Sequence, residues 1–207
     1  MQILFEQVGK RFGKHWLFKE ITTDFKSGQR VGIEGANGSG KSTLLQIAAG
    51  ISQPSQGKVS YRGKGFTSAE DLAGKLALVS PYTDVPEQLK LSELFNFHRR
   101  FIAFQEGVDL AKFCKRTLLT GKEDHLIKSF SSGMKQRLKL GLAFLSKASI
   151  LMLDEPCSNL DLEGKELYQD FIQHHHADRL ILIASNEAKT ELIHITDRIN
   201  LMDFKTG

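Results

Sequence analysis

The sequence predicts an α/β fold built on a mostly parallel sheet. The observations behind this are an N-terminal stretch rich in short strands, a glycine-rich loop between an apolar strand and a helix, and a strand and helix alternation after Ser131. In chain order, Ile3 to Val8, Leu17 to Phe25, Gln29 to Glu34 and Lys58 to Tyr61 read as strands, punctuated by Ser27-Gly28 and Pro54 to Gly57. From Lys41 to Gly50, Leu44, Leu45, Ile47 and Ala48 share one helical face, and the pattern stops at glycine. Helical spacing over Leu91 to Phe104, with Ser92 as N-cap, and over Asp109 to Leu119 predicts a helical insertion. A helix from Ser131 to Ser146, strand Ile150 to Leu153, helix Asp161 to His176, strand Leu180 to Ala184 and strand Ile199 to Met202 complete the chain. Such alternation suits parallel strands covered by helices.

At 207 residues, with 41% hydrophobic and 25% charged content, the chain suits one globular domain with subdomains. Its wholly apolar runs, such as Leu180 to Ala184, are far shorter than the roughly 20 residues that span a bilayer. No secretory signal pattern opens the sequence, and the two cysteines, Cys114 and Cys157, do not suggest a disulfide framework, so a reducing cytoplasm is expected. The net charge of +4 fits an anionic partner, but basic clusters such as Lys10-Arg11 and His98 to Arg100 are short. There is no aromatic-interleaved RNA-binding pattern and no zinc-finger spacing, so nucleic acid is not expected as a partner.

The sharpest feature is Gly35-Ala36-Asn37-Gly38-Ser39-Gly40-Lys41-Ser42-Thr43. A phosphate spreads its charge over several oxygens and is held best by converging backbone N–H groups with a helix N-terminus behind them. Gly35, Gly38 and Gly40 let the backbone wrap closely, Lys41 can reach β and γ phosphates, Ser42 offers a hydroxyl to Mg²⁺, and Thr43 can hold the α phosphate. ATP and Mg²⁺ are the expected ligands. Downstream, the strand Ile150 to Leu153 ends in Asp154-Glu155, two acids at the carboxyl edge where open α/β sheets bind ligands. In a nucleotide site Asp154 would hold Mg²⁺ and Glu155 would act as the general base on water.

With these residues in place, the sequence resembles the ATP-binding cassette family along nearly its whole length. Phe130-Ser-Ser-Gly-Met-Lys-Gln-Arg137 is similar to the family signature, with Ser131, Ser132 and Gly133 in place of Ser-Gly-Gly and Met134 in place of glutamine. Ser158-Asn-Leu-Asp161 resembles the D-loop, and Lys10-Arg-Phe-Gly13 the A-loop, where Phe12, rather than Trp16, would stack on adenine. The resemblance implies a P-loop NTPase core with a mostly parallel sheet, an N-terminal antiparallel β subdomain, and a helical subdomain at about 86–138, all in one domain of 1–207. It also implies a homodimer or heterodimer of such subunits, in which Ser131, Ser132 and Gly133 of one complete the ATP site of the other.

Two positions depart from the family. Tyr82, or Pro81 in a shifted register, stands in place of the Q-loop glutamine, and Gln88 lies nearby without a spacing that makes it the substitute. Asn186 replaces the switch histidine; it can hydrogen-bond a γ phosphate but cannot carry a proton. The function implied is ATP hydrolysis by Lys41, Glu155 and Asn186, coupled to substrate movement through a separately encoded transmembrane permease, on the inner face of the membrane. Docking is expected around Leu78 to Phe104. The alternatives are a soluble scaffold or remodelling ATPase, and a slow-turnover ATP-binding partner in a mixed dimer. No C-terminal regulatory extension is expected after Met202, a feature similar to small exporters. His174, His175 and His176 read as a solvated helix end rather than a metal site, because consecutive helical side chains diverge.

Overall fold

The computed structural model describes residues 1–63, 65–81, 83–175, 178–186 and 188–205. Strands β1 (Gln2–Phe12) and β2 (His15–Lys26) form an antiparallel hairpin, followed by β3 (Arg30–Glu34), helix α1 (Lys41–Ala48) and β4 (Gln56–Arg62), which returns to pair with β1. Next come β5 (Leu76–Val79), α2 (Leu91–His98), α3 (Leu110–Arg116), α4 (Ser132–Phe144), β6 (Ile150–Asp154), α5 (Leu162–His174), β7 (Leu180–Ala184), the short α6 (Ala188–Glu191) and β8 (Asp197–Asn200). Two sheets result: an antiparallel one ordered β2-β1-β4 and a parallel one ordered β5-β6-β7-β3-β8. Among the described residues, no helix is long and apolar enough to cross a membrane.

The parallel sheet divides two apolar cores, and the period of two along a strand decides which residue serves which. Leu151 and Leu153 of β6 and Ile181 and Ile183 of β7 face the core built with α2 to α5. Ile150, Met152, Leu180, Leu182 and Ala184 face the other, built with α1 and the antiparallel sheet. All ten residues of β6 and β7 are buried, as the central strands of a parallel sheet covered on both faces must be.

Several boundaries differ from the sequence expectation for identifiable reasons. Strand β1 runs past Val8 to Phe12 because a bulge at Gln7, at φ 53°, interrupts its apolar alternation without ending it. Strand β5 was not expected; four apolar residues gain strand character only by pairing in parallel with β6. Lys90, rather than Ser92, caps α2: its N–H donates to Glu93 Oε2 at 2.8 Å. That helix stops at His98, short of Phe104, which instead bridges to Ser146. Helix α3 ends at Arg116 rather than Leu119, and α4 at Phe144 rather than Ser146. Helix α5 ends at His174, and His176 lies outside the described residues. The last strand sits earlier than expected, at Asp197–Asn200. The Asn200 side chain accepts from Met202 N–H at 3.0 Å and turns Leu201–Phe204 into a 3₁₀ segment.

The β1 bulge depends on Gly57. Its φ is +78°, and a Cβ there would lie 2.2 Å from the Gln7 carbonyl oxygen. Gly57→Ala is expected to cost about 3 kcal/mol, read as a lower urea midpoint, through backbone collision added to left-handed strain. Gly13→Ala, at φ +58° with open space around it, serves as the control and should cost only about 1 kcal/mol.

Candidate nucleotide site

The segment from Gly35 to Gly40 links β3 to α1, and its shape depends on missing side chains. A Cβ on Gly35, at φ +148°, would fall 2.6 Å from Ser39 Oγ, and one on Gly40, at φ +102°, 2.9 Å from the Phe18 ring. Ser39 N–H donates to Ala36 O at 3.0 Å, closing the turn. The first turn of α1 then opens with backbone N–H groups that have no partner inside the helix. Lys41 is 6% exposed, and its ammonium donates to Gly35 O at 2.8 Å and Ala36 O at 3.2 Å. Burial pulls its pKa below the ordinary lysine value, while the carboxylates of Glu155, Asp154 and Glu191 push it back up.

The other wall comes from the carboxyl edge of the parallel sheet. Asp154 ends β6 and is 5% exposed; Ser80 Oγ donates to its Oδ2 at 3.5 Å, and its Oδ1 has no hydrogen-bond partner. Burial raises its pKa above the usual carboxylate range, against the Ser42 hydroxyl and the Lys41 ammonium, which lower it. Glu155 follows in a left-handed conformation, φ 47°, with its N–H donated to Ala184 O at 2.9 Å and its Oε1 accepting from Asn186 Nδ2. Non-glycine residues are held at positive φ only where surroundings enforce it, and such strain concentrates at functional sites. A cleft of about 440 Å³ is lined by Leu17, Asn37, Gly38, Gly40, Lys41, Ser42, Thr43, Pro81, Asp154, Glu155 and Asn186.

The fold thus brings most of the expected residues to one cleft. Gly35, Ala36 and Ser39 shape its loop from behind. Ser131, Ser132 and Gly133 do not line it. Ser131 Oγ caps α4 by accepting from Met134 N–H at 3.2 Å, and Ser131 and Ser132 are exposed. A Cβ on Gly133 would lie 3.0 Å from Asn159 O, so that glycine permits α4 to abut the 158–161 segment. Phe12, 61% exposed, is also outside the cleft lining. Along β1 it shares a face with Lys10, whose register partner Phe18 approaches Gly40 together with Leu17, which places Phe12 on the strand face of a lining residue. Trp16 pairs with Arg11 on the opposite face, with the Arg11 and Lys19 cations 5.5 and 4.7 Å from its ring. Tyr82 lies outside the described residues.

Sequence reasoning passed over Leu17 and Ser80. The signal for Ser80 was present: Val79 pairs with Leu153, so the polar residue after each apolar run, Ser80 and Asp154, emerges side by side.

A buried carboxylate whose pKa is raised by the fold favours folding below its unfolded pKa and loses that contribution as pH rises through the folded one. At neutral pH the ionised Asp154 is therefore a net burden on the fold without ligands. Asp154→Asn is expected to stabilise it by about 1 kcal/mol, a rise of about 2–4 °C in Tm at pH 7.5 that shrinks toward pH 4.

A family model described as ABC transporter matches residues 18–158, a span that contains the glycine loop, the Phe130 to Arg137 segment and Asp154-Glu155, and leaves Phe12 and Asn186 outside. The cytochrome c biogenesis ATP-binding export protein CcmA of Haemophilus influenzae is 29% identical over 93% of this chain and 92% of its own length. The protein of that name from Shewanella frigidimarina is 32% identical over 83% and 80%. Among solved structures, a putative ABC transporter ATP-binding protein from Pyrococcus furiosus superposes with TM-score 0.82 over 100% of both chains at 19% identity, which shows the shared fold. The chain belongs to the ATP-binding cassette transporter family, as a nucleotide-binding subunit.

Proposed function

We propose that this subunit hydrolyses ATP to drive a transporter whose membrane component is a separate chain. The observation that carries the reading is the convergence of Lys41, Ser42, Asp154, Glu155 and Asn186, from three separate stretches of sequence, on one cleft. The loop N–H groups and Lys41 would bind the phosphates. The buried, unpartnered Oδ1 of Asp154 and the hydroxyl of Ser42 form a hard oxygen donor set that fits Mg²⁺. When bound, that ion supplies charge neutralisation on the β and γ oxygens. Glu155 takes the proton from the attacking water, and the Asn186 amide orients its carboxylate. Phe12, on the Leu17 face of its hairpin, stacks on the adenine.

Ser131, Ser132 and Gly133 are exposed or half-buried at the N-terminus of a 13-residue helix and lie outside their own chain's cleft. In this reading they serve the ATP of a second subunit, and the positive end of this chain's α4 meets that subunit's γ phosphate. Each ATP is shared across a dimer, homomeric or mixed, on the cytoplasmic face of the membrane. The segment around Leu78 to Phe104, which contains α2, receives the membrane component. The word export in the names of the Haemophilus and Shewanella relatives supports outward movement.

The test is Mg²⁺-dependent phosphate release from ATP by the purified chain, alone and with membrane proteins recovered alongside it. Turnover no higher than that of the Glu155→Gln variant overturns the enzymatic reading. Recovery without any polytopic subunit after detergent solubilisation overturns the transport reading. One observation favours a slow-turnover role in a mixed dimer: Asn186, where the family has histidine, cannot accept a proton. A mixed dimer in which only the other subunit's base is needed for turnover would establish it.

A further inference from the structure

Lys139 lies on α4, eight residues beyond the Ser131 cap, and is half-buried. Its ammonium meets no carboxylate within ion-pair distance among the described residues. It donates instead to two backbone carbonyls, Ser80 O at 2.9 Å and Thr83 O at 3.3 Å. Those oxygens belong to one tight turn at the end of β5. Thr83 N–H donates to Ser80 O at 3.2 Å, Thr83 Oγ1 donates to the same oxygen at 2.9 Å, and Ser80 N–H donates to Thr83 Oγ1 at 3.0 Å. From that turn the Ser80 hydroxyl reaches Asp154 Oδ2. Ser80, Thr83, Asp154 and Ser42 also share the wall of a cavity of about 170 Å³. An unbroken path of hydrogen bonds thus runs from α4 through the turn to the carboxylate.

We infer that Lys139 is a positioning residue for the divalent-metal site: it holds the Ser80 turn, and through the Ser80 hydroxyl it fixes which Asp154 oxygen is left for the ion. This rests on the reading that Asp154 and Ser42 bind Mg²⁺. The physical logic is that of an outer-shell partner. A carboxylate with one oxygen held by a hydroxyl has fewer orientations open to it, and presents its other oxygen, the unpartnered Oδ1, already aimed. A lysine is suited to the task, because three donors on a flexible stem can serve two carbonyls at once. Burial lowers its pKa, yet the negative charge of Asp84 opposes that shift. The ammonium also ties the helix that carries Ser131 to the metal side of the cleft, so movement of α4 is felt at Asp154.

The experiment measures metal affinity rather than turnover. Mn²⁺ is titrated by electron paramagnetic resonance into protein loaded with a non-hydrolysable ATP analogue, and the analogue's own affinity is measured in EDTA. Lys139→Met, which keeps the apolar stem, is expected to weaken Mn²⁺ about tenfold, the lower end for an outer-shell loss because the Ser80 to Asp154 bond is long at 3.5 Å. Affinity for the metal-free analogue should stay within about twofold, Lys139→Arg should restore most of the metal affinity, and Ser80→Ala should reproduce the loss. The double variant should be no worse than either single one. Unchanged Mn²⁺ affinity in a folded Lys139→Met protein, or an equal loss of metal and metal-free analogue binding, overturns the inference. If Asp154→Asn itself leaves Mn²⁺ binding intact, the metal-site reading fails and this inference with it; if Asp154→Asn weakens the metal and Lys139→Met does not, only the positioning role fails.

Discussion

Glu155→Gln is expected to lower ATP turnover by about 10²- to 10³-fold while nucleotide affinity stays within about twofold, as befits removal of a general base. The substitution is narrow. Glutamine has the same shape, its amide oxygen can still accept from Asn186 Nδ2, and the N–H bond to Ala184 O at 2.9 Å is a backbone contact that does not involve the side chain. The left-handed φ of 47° is likewise carried over unchanged. What disappears is the capacity to take a proton, since an amide oxygen is a far weaker base than a carboxylate. Bound ATP should then persist, and under the proposal that each ATP is shared between two subunits, size-exclusion chromatography with ATP should show a dimer for the variant and mainly monomer for the parent. Steady-state phosphate release and equilibrium binding of a fluorescent ATP analogue separate the two effects. A loss of turnover below tenfold would assign proton removal to another group.

The chemistry of the cleft was more legible in the sequence than the framework that holds it. Residues 35 to 43 announce themselves because phosphate binding needs backbone approach, and glycine at Gly35 and Gly40 is what the geometry demands: any Cβ there would collide with Ser39 or Phe18. The run from Ile150 to Glu155 is legible for a related reason, since a strand buried on both faces is apolar along its length and the paired acids that break the run mark its carboxyl end. Strand β5 carries the same signature in Leu76–Val79 followed by Ser80, but four residues are too few to distinguish a strand from a turn until β6 supplies the partner. The extent of β1 was hidden by its bulge, where Gln7 and Gly57 replace alternation by a local backbone fit. Lys139 was invisible for a deeper reason. Its partners are main-chain carbonyls of a distant turn, and no residue type marks a carbonyl that will need a donor. The signature presents the reverse case: Ser131, Ser132 and Gly133 were found from sequence, yet within one chain Ser131 caps α4 and Gly133 admits the 158–161 segment, and none of the three lines the nucleotide cleft.

Lys41→Met should weaken ATP binding about 100-fold, and the fold should hardly notice. Lys41 is 6% exposed as a residue, and its ammonium is bonded to Gly35 O at 2.8 Å and Ala36 O at 3.2 Å, so it is held in place at the mouth of the loop. Exchanging two neutral carbonyls for charged phosphate oxygens gains charge-assisted bonds, and losing these costs roughly 3 kcal/mol, which corresponds to about two orders of magnitude in affinity. For stability the effects oppose one another. Burial draws the lysine pKa down, so methionine relieves a desolvation cost; Glu155, Asp154 and Glu191 lose a cation that stabilised them. With the stem's apolar contacts kept, Tm should move by no more than about 3 °C. Calorimetric titration with ATP and thermal melting of the same preparation decide the matter together. A variant that melts far below the parent would make Lys41 a structural cation, and one that keeps its ATP affinity would remove it from the phosphate site.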